Sequence, residues 1–509
     1  MSARVATERR PALPARTPIA TREAAVIDIG SNSVRLVVYR LEGRAMIPIL
    51  NEKMLAGLGR DMPRTGALSP EGVENAVRVL KRFATIVDCI NLHRIDVVAT
   101  AAVRDARDGE AFVRRVREET GFAIRVLTGG EEARLSALGV LAGLPEAAGV
   151  AGDLGGSSLE LVAIGAEGPG AGETFALGPL ALMSGDGFDD ARITAKVDGA
   201  LARSKILTKQ GGVFYAVGGA WRALGRIHMA LHNHPLHVLQ HYEMPRADVL
   251  ELAEIVRRQS RRSLERMFEA AAKRADLLPC AAIVLERVMQ RGAFSSVTLS
   301  SYGLREGVLF EHMAKEAKGQ HPLIATAEAF GAQDSRARAF GQALNPWIEP
   351  IFANAPQVFS AERDALLRAC ACRLADIGAP LHPDQRAELM FDLVLRAPLA
   401  GVRHSERAFI AGAIHHRYTK TPPPNAPAFE RLLSEDQRKA AFALGAALRL
   451  GADLSGRAET MLARFKIGWE KGVLVLRAPT GEAHLVNEQS QRRLDTLASA
   501  LGATARVAS

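Results

Sequence analysis

Apolar positions along this chain switch period repeatedly, from the two-residue period of strands to the 3.6-residue period of helices. Short apolar runs at Ala24 to Ile29, Val34 to Tyr39, Ile95 to Ala102 and Ile124 to Leu127 predict strands. Val73, Ala76, Val77, Leu80 and Phe83 fall on one helical face. They predict a long helix opened by Ser69-Pro70, a cap followed by proline in the first turn, and running to about Asn91. Two more helices are predicted, from Gly109 to Gly121 and from near Gly130. Residues 24 to 145 therefore read strand, strand, strand, helix, strand, helix, strand, helix. From Gly149 the same order begins again, more loosely. It closes with a strand at Val297 to Ser300, a Tyr302-Gly303 turn and a helix from Leu304 to Lys315.

Beyond about residue 317 the patterns are almost only helical, with loops expected at Asn345-Pro346, Pro380 and Pro422-Pro423-Pro424. From Gly456 come two short strands (Phe465 to Trp469 and Val473 to Arg477), a Thr480-Gly481 turn and a closing helix. The expected domains are a basic disordered arm (1–23), two mixed lobes (24–148 and 149–316), a helical domain (317–455) and a small α+β cap (456–509). The fold class is α/β. The order in the lobes fits a ribonuclease-H-like half repeated twice, the actin-like architecture, with a cleft between the halves.

The duplication is visible in the residues. Asp28-Ile-Gly-Ser-Asn-Ser-Val-Arg-Leu-Val37 aligns without gaps on Asp153-Leu-Gly-Gly-Ser-Ser-Leu-Glu-Leu-Val162, 125 residues later. Each copy is strand, tight turn, strand. Ser31, Asn32 and Ser33 in the first turn, and Gly155, Gly156, Ser157 and Ser158 in the second, expose N–H and hydroxyl donors suited to phosphate oxygens. Arg35 follows the first turn and is counted with them. Gly, Ser and Asn also make ordinary β-turns, but two matched copies favour phosphate. Asp28 and Asp153 end the entering strands, where each can hold a cation or a water.

Three further stretches carry candidate chemistry. Gly129-Gly130-Glu131-Glu132 opens a helix, and one of its acids can point into the cleft and take a proton from water. Placement at a helix start is expected to keep that acid ionised, and acids there also simply complement the helix dipole. Arg104 follows a strand and can clamp phosphate or form a surface pair with Asp105 or Asp108. Gly218-Gly219 ends a strand and opens a helix, another place where backbone N–H groups can meet an anion. His228, His232, His234, His237 and His241 include pairs one turn apart, but no carboxylate intervenes as in a zinc hydrolase. Packing and capping are expected of them.

The net charge of +9 favours a polyanionic partner, while the absence of interleaved aromatics argues against single-stranded nucleic acid. The run Arg257, Arg258, Arg261, Arg262, Arg266 reads as a solvated helix face. No stretch has the roughly 18 uninterrupted apolar residues of a membrane span. Four cysteines, Cys89, Cys280, Cys370 and Cys372, are expected to be reduced and buried, in a cytoplasmic protein.

Five motifs together resemble the exopolyphosphatase / guanosine pentaphosphate phosphohydrolase (Ppx/GppA) family. They are Ala25-Val-Ile-Asp-Ile-Gly-Ser-Asn-Ser-Val-Arg35, Ala99-Thr-Ala-Ala-Val-Arg-Asp-Ala106, Thr128-Gly-Gly-Glu-Glu-Ala-Arg134, Gly152-Asp-Leu-Gly-Gly-Ser-Ser-Leu-Glu160 and Leu299-Ser-Ser-Tyr-Gly-Leu-Arg-Glu-Gly307. The resemblance implies actin-like lobes and magnesium-dependent removal of a terminal phosphate. It assigns Glu132 as the water-activating base, Asp153 and Glu160 as carboxylates near Mg2+, and Arg104 as the phosphate clamp; Asp28, from its place at the strand end, is counted with the metal residues. Ser157 and Leu159 stand where the family usually has Gly and Thr. The helical region resembles the family's domain related to His-Asp phosphohydrolases, but Ala375 in Leu374-Ala-Asp-Ile-Gly378 replaces the first metal histidine. That domain is read as structural. The expected substrate is inorganic polyphosphate, with pppGpp as the alternative at the same site. An actin-like ATP-binding protein and a non-catalytic polyanion sensor are rivals of another class. No specific nucleic acid and no membrane are expected as partners, and homodimerisation is left open.

Overall fold

The computed structural model describes residues 22–183, 188–208, 211–267, 275–331, 334–424 and 429–508. The predicted basic arm, 1–23, lies almost wholly outside them. Among the described residues no helix is long and apolar enough to cross a membrane.

The first sheet holds β1 (Arg22–Ile29), β2 (Ser33–Glu42), β3 (Ala45–Leu55), β4 (Arg94–Ala99) and β5 (Ile124–Val126) in the order β3-β2-β1-β4-β5. β1 runs antiparallel to β2 and parallel to β4. Its alternation serves two cores. Ala25, Ile27 and Ile29 face one apolar cluster, and Ala24 and Val26 face another. A strand covered on both faces reads as a continuous apolar run, which is why this segment was legible. The second sheet holds β6 (Gly149–Leu154), β7 (Leu159–Gly165), β8 (Gly168–Phe175), β9 (Val213–Val217), β10 (Tyr242–Pro245) and β11 (Ser296–Leu299). Its order, β10-β11-β9-β6-β7-β8, repeats the first with β10 added at one edge. These are the two ribonuclease-H-like lobes of an actin-like fold.

The lobes exchange helices. Helix Gly129–Gly143 follows the first sheet, yet Ala133, Ala137 and Val140 pack on Ala151, Val162 and Val217 of the second. Helix Leu304–Glu311 follows the second sheet, yet Leu304, Val308 and Leu309 pack on Val26, Val37 and Val98 of the first. The two helices cross at glycines. A Cβ on Gly139 would lie 2.0 Å from the Gly303 carbonyl oxygen, and one on Gly307 would lie 1.8 Å from that of Leu135.

Several expectations need correction. The strand predicted to Ala102 stops at Ala99, and Ala101–Asp105 forms a short helix that aims Arg104. The loop predicted at Asn345-Pro346 lies inside helix Ser335–Phe352, which also contains Pro350. Leu344, Trp347, Ile348 and Ile351 of that helix are buried, and the Trp347 indole donates to the Phe465 carbonyl at 3.0 Å. Burying four large apolar side chains outweighs the roughly 3 kcal/mol that an internal proline costs. Cys280, Cys370 and Cys372 are buried, but Cys89 is exposed, since it caps helix Pro70–Asp88 where the chain turns outward.

The tail carries the two expected strands, β12 (Lys466–Glu470) and β13 (Val473–Arg477), and a third that the pattern did not reveal. This is β14 (Thr504–Ala508), paired parallel to β13. One continuous core runs from Leu323 through the helices to Phe465, Leu474 and Leu497 of the tail. Ala375 is fully buried, Asp376 pairs with Arg457 at 3.2 Å, and both ring nitrogens of His415 lie against backbone carbonyls, of Ala387 and Thr421.

Candidate active site

The twin turns meet beside a cleft. In the first, Gly30 N–H donates to the Ser33 carbonyl at 3.0 Å; in the second, Gly155 N–H donates to the Ser158 carbonyl, also at 3.0 Å. Both are buttressed alike. Gly59 N–H donates to the Ser31 carbonyl, and Leu180 N–H to the Gly156 carbonyl at the equivalent position. The strand partners correspond too, Asp28 opposite Arg35 and Asp153 opposite Glu160. Ser31 and Ser157 meet hydroxyl to hydroxyl at 2.9 Å.

The adjoining cleft has a volume of about 720 Å³. Arg104, Gly129, Gly130, Ser157, Ser158 and Lys196 are among the residues that line it. Gly129 is needed for close approach, because a Cβ there would lie 2.1 Å from the Thr174 hydroxyl on β8.

The helix start separates the two acids. Glu131 closes a capping box: its side chain accepts from Thr128 N–H at 2.9 Å, and its own N–H donates to the Thr128 hydroxyl at 3.2 Å. Arg125 also pairs with it at 2.7 Å, and these bonds pull its pKa down to about 2. Glu132 turns inward, with its side chain 9% exposed, and accepts from Arg104 at 3.0 Å. Burial and the charge of Asp153 push its pKa up to about 7, against the opposing pull of Arg104. Helix placement therefore does not keep this acid fully ionised, as had been expected, because desolvation outweighs the dipole.

Below lie three more acids. Burial raises the pKa of Asp28, against the charge of Arg305, and that of Asp153, against a 2.6 Å hydrogen bond from Ser136. Glu160 is 2% exposed and is raised well above its usual range, first by burial and then by Glu132. Its Oε1 is buried without a hydrogen-bond partner. Clustered carboxylates that resist ionisation, one with an orphaned oxygen, are a donor set suited to a hard dication.

Two predicted residues are engaged by the strands beside the turns. Arg35 donates to Asn51 at 2.8 Å on β3. Gly218, at φ 107°, backs onto β6, where a Cβ would lie 2.4 Å from the Leu154 carbonyl oxygen, and it precedes helix Gly219–Leu231. Other residues near the site were overlooked. Arg305 holds Asp28 at 3.3 Å, and buried Glu306 accepts from the Tyr39 hydroxyl at 2.5 Å and the Gly303 N–H at 2.9 Å. Both lie in a motif that had been noticed, and their adjacent opposite charges were the available signal. Ser136 sits one turn after Glu132, a spacing that could have found it. Lys196, on the exposed face of helix Asp190–Leu201, had no signal.

Paired donor turns above buried carboxylates, carried on duplicated ribonuclease-H-like lobes, define a hydrolase acting on a phosphoanhydride. Residues 37–316 match the Ppx/GppA phosphatase family, and residues 323–508 match the exopolyphosphatase C-terminal domain. The chain belongs to the Ppx/GppA phosphatase family. It is 26% identical over 307 residues to Exopolyphosphatase 1 of Mycobacterium tuberculosis and of Mycobacterium bovis, covering 58% of this chain and 89% of each relative. Two solved structures share the fold. An exopolyphosphatase from Cytophaga hutchinsonii has a TM-score of 0.53 at 23% identity, covering 57% of this chain and 98% of its own. An Aquifex aeolicus family member has a TM-score of 0.52 at 23% identity, covering 58% and 99%.

Proposed function

We propose that this enzyme removes the terminal phosphate of inorganic polyphosphate. The observation that carries the reading is Glu132, buried and held by Arg104 near Asp153 and Asp28 at the strand ends, from which the donor turns that meet at Ser31 and Ser157 spring. A phosphoryl group seated between the turns accepts from Ser31, Asn32, Ser157 and Ser158. Arg104 exchanges its bond to Glu132 for bonds to phosphate oxygens, which frees the Glu132 carboxylate to take a proton from the attacking water. Ser136 and Arg305 orient Asp153 and Asp28 beneath. Asp153 and Glu160, with Asp28 beside them, are the residues that would hold a divalent cation, magnesium by its preference for oxygen ligands. When bound, that ion neutralises charge gathering on the phosphate oxygens.

Preference for polyphosphate over pppGpp is supported by the cleft wall. Among the described residues none that lines it is aromatic, so none there stacks on a base, while Arg104 and Lys196 bring positive charge to its wall. The test is phosphate release from polyphosphate, pppGpp and ATP at equal phosphate concentration with magnesium present. Polyphosphate should be turned over fastest. Faster release from pppGpp would reverse the substrate assignment, and binding without release would leave a sensor.

A further inference from the structure

The histidines at the end of helix Gly219–Leu231 were expected to pack and cap, for want of a carboxylate between them. The structure supplies one from another element. His228, His232 and Asp248 bring one ligand atom each to within 4.8 Å of one another, and among the described residues no other set of three His, Cys, Asp or Glu side chains does so. His228 and His232 are one helical turn apart, with ring centroids 4.1 Å apart. Asp248 lies in the first turn of helix Arg246–Arg258.

The hydrogen bonds aim the ring nitrogens. His232 Nδ1 lies 3.1 Å from the His228 carbonyl, which can only accept, so Nδ1 carries the proton and Nε2 is left as a lone pair. His228 Nδ1 lies 2.7 Å from the Tyr242 hydroxyl. His228 is 4% exposed, and its Nε2 is buried with no hydrogen-bond partner. Asp248 Oδ2 lies 3.5 Å from it, too far for a good bond. Bonding a ligand histidine through its other nitrogen is the arrangement that fixes imidazoles around metals. The helix also ends here, and its C-terminal partial negative charge favours a cation. Opposing this, Arg431 donates to the carbonyls of His232 and Asn233. His232 is exposed and Asp248 half-buried, which leaves the ion a way in.

We propose that His228, His232 and Asp248 form a second metal site, selective for a borderline transition-metal dication and best suited to Zn2+. Two imidazoles and a carboxylate are a three-ligand zinc set with a position left for water. The rings stand stacked at 30° to each other, so the exposed His232 must swing well out of the stack to turn both lone pairs onto one ion. The site stands on β10, the strand that the first lobe lacks, and beside His234, which bonds His404 of the helical domain at 2.8 Å. An ion there ties helix Gly219–Leu231 to helix Arg246–Arg258 beside that junction. Along its helix the site is roughly 20 Å from Gly218, so it is separate from the acids beneath the turns.

The test uses full-length protein stripped by a chelator and titrated with Zn2+ under excess Mg2+, followed by calorimetry and thermal melting. One equivalent should bind and raise the melting temperature. His232→Ala and Asp248→Asn, at accessible positions, should each weaken binding at least about tenfold, while Glu160→Gln should bind as wild type does. Co2+ in place of Zn2+ should give visible absorption of a nitrogen-ligated site that His232→Ala lacks. The proposal is overturned by no zinc uptake in the wild type, by undiminished uptake in His232→Ala and Asp248→Asn, or by loss of uptake in Glu160→Gln.

Discussion

Glu132 stores free energy in the resting fold. Its carboxyl rises from the ordinary 4.5 to about 7, so the native state holds this proton more tightly than the unfolded chain does. The resulting stability is full below pH 4.5 and is lost as pH rises to about 7, on the order of 3 kcal/mol in the metal-free protein. Glu132→Gln mimics the protonated acid. It should therefore melt progressively higher than wild type between pH 5 and pH 8, with the two converging in acid. A gap that does not change with pH would mean that Glu132 is ionised throughout. The same variant should lose about 10² to 10⁴-fold in kcat, and wild-type kcat/KM should rise with pH through the neutral range as the base ionises. If kcat stays within a few-fold, the base lies elsewhere. Asp153→Asn and Glu160→Gln should shift the magnesium titration of activity to higher concentration, and an unchanged titration in both would remove the cation from beneath the turns. The twin turns were legible because Gly, Ser, Asn and Asp recur at fixed offsets. The raised pKa of Glu132 was not, because it depends on burial and on the charge of Asp153 brought near by the fold, which no local pattern encodes.

At the scale of elements, the junction of the lobes is two helices crossing backbone to backbone. Gly307→Ala would place a Cβ 1.8 Å from the Leu135 carbonyl oxygen, and Gly139→Ala one 2.0 Å from that of Gly303. Carbonyls inside a helix cannot swing away, so each substitution should cost about 1–3 kcal/mol or more. Gly130→Ala meets nothing within 4 Å and serves as the control, with thermal melting as the readout. Melting temperatures equal to that control would mean that the helices part easily. Most elements here could be read from apolar period and caps. Helix Gly109–Thr120 ends at Gly121, φ 76°, where the glycine indicated. Helix Ser335–Phe352 defeated the reading because proline was weighed against local propensity, whereas the deciding contribution was tertiary burial. β14 was missed because Thr504–Ala508 is a short, half-exposed strand whose parallel partner lies a helix away.

For the whole molecule, the net charge of +9 is unevenly available. Arg257 is paired with Asp190 and Glu286, Arg258 with Glu254, and Arg261 with Glu265 and Asp276, so that basic run is largely neutralised at the surface. Affinity of the Glu132→Gln protein for long polyphosphate should fall steeply with salt, as counterions are released from the chain. Short chains that reach only the turns and Arg104 should show a shallower slope. Equal slopes would confine binding to the cleft whatever the chain length. The exchange of helices has a different consequence. A chain cut between Leu144 and Gly149 gives two pieces, each carrying a helix whose packing surface belongs to the other. Produced apart, each piece keeps its own main core but loses the partner helix that covers the other face of its sheet. Produced together, they have the matching surfaces to dock, and phosphate release becomes a signal that two separately made halves have met.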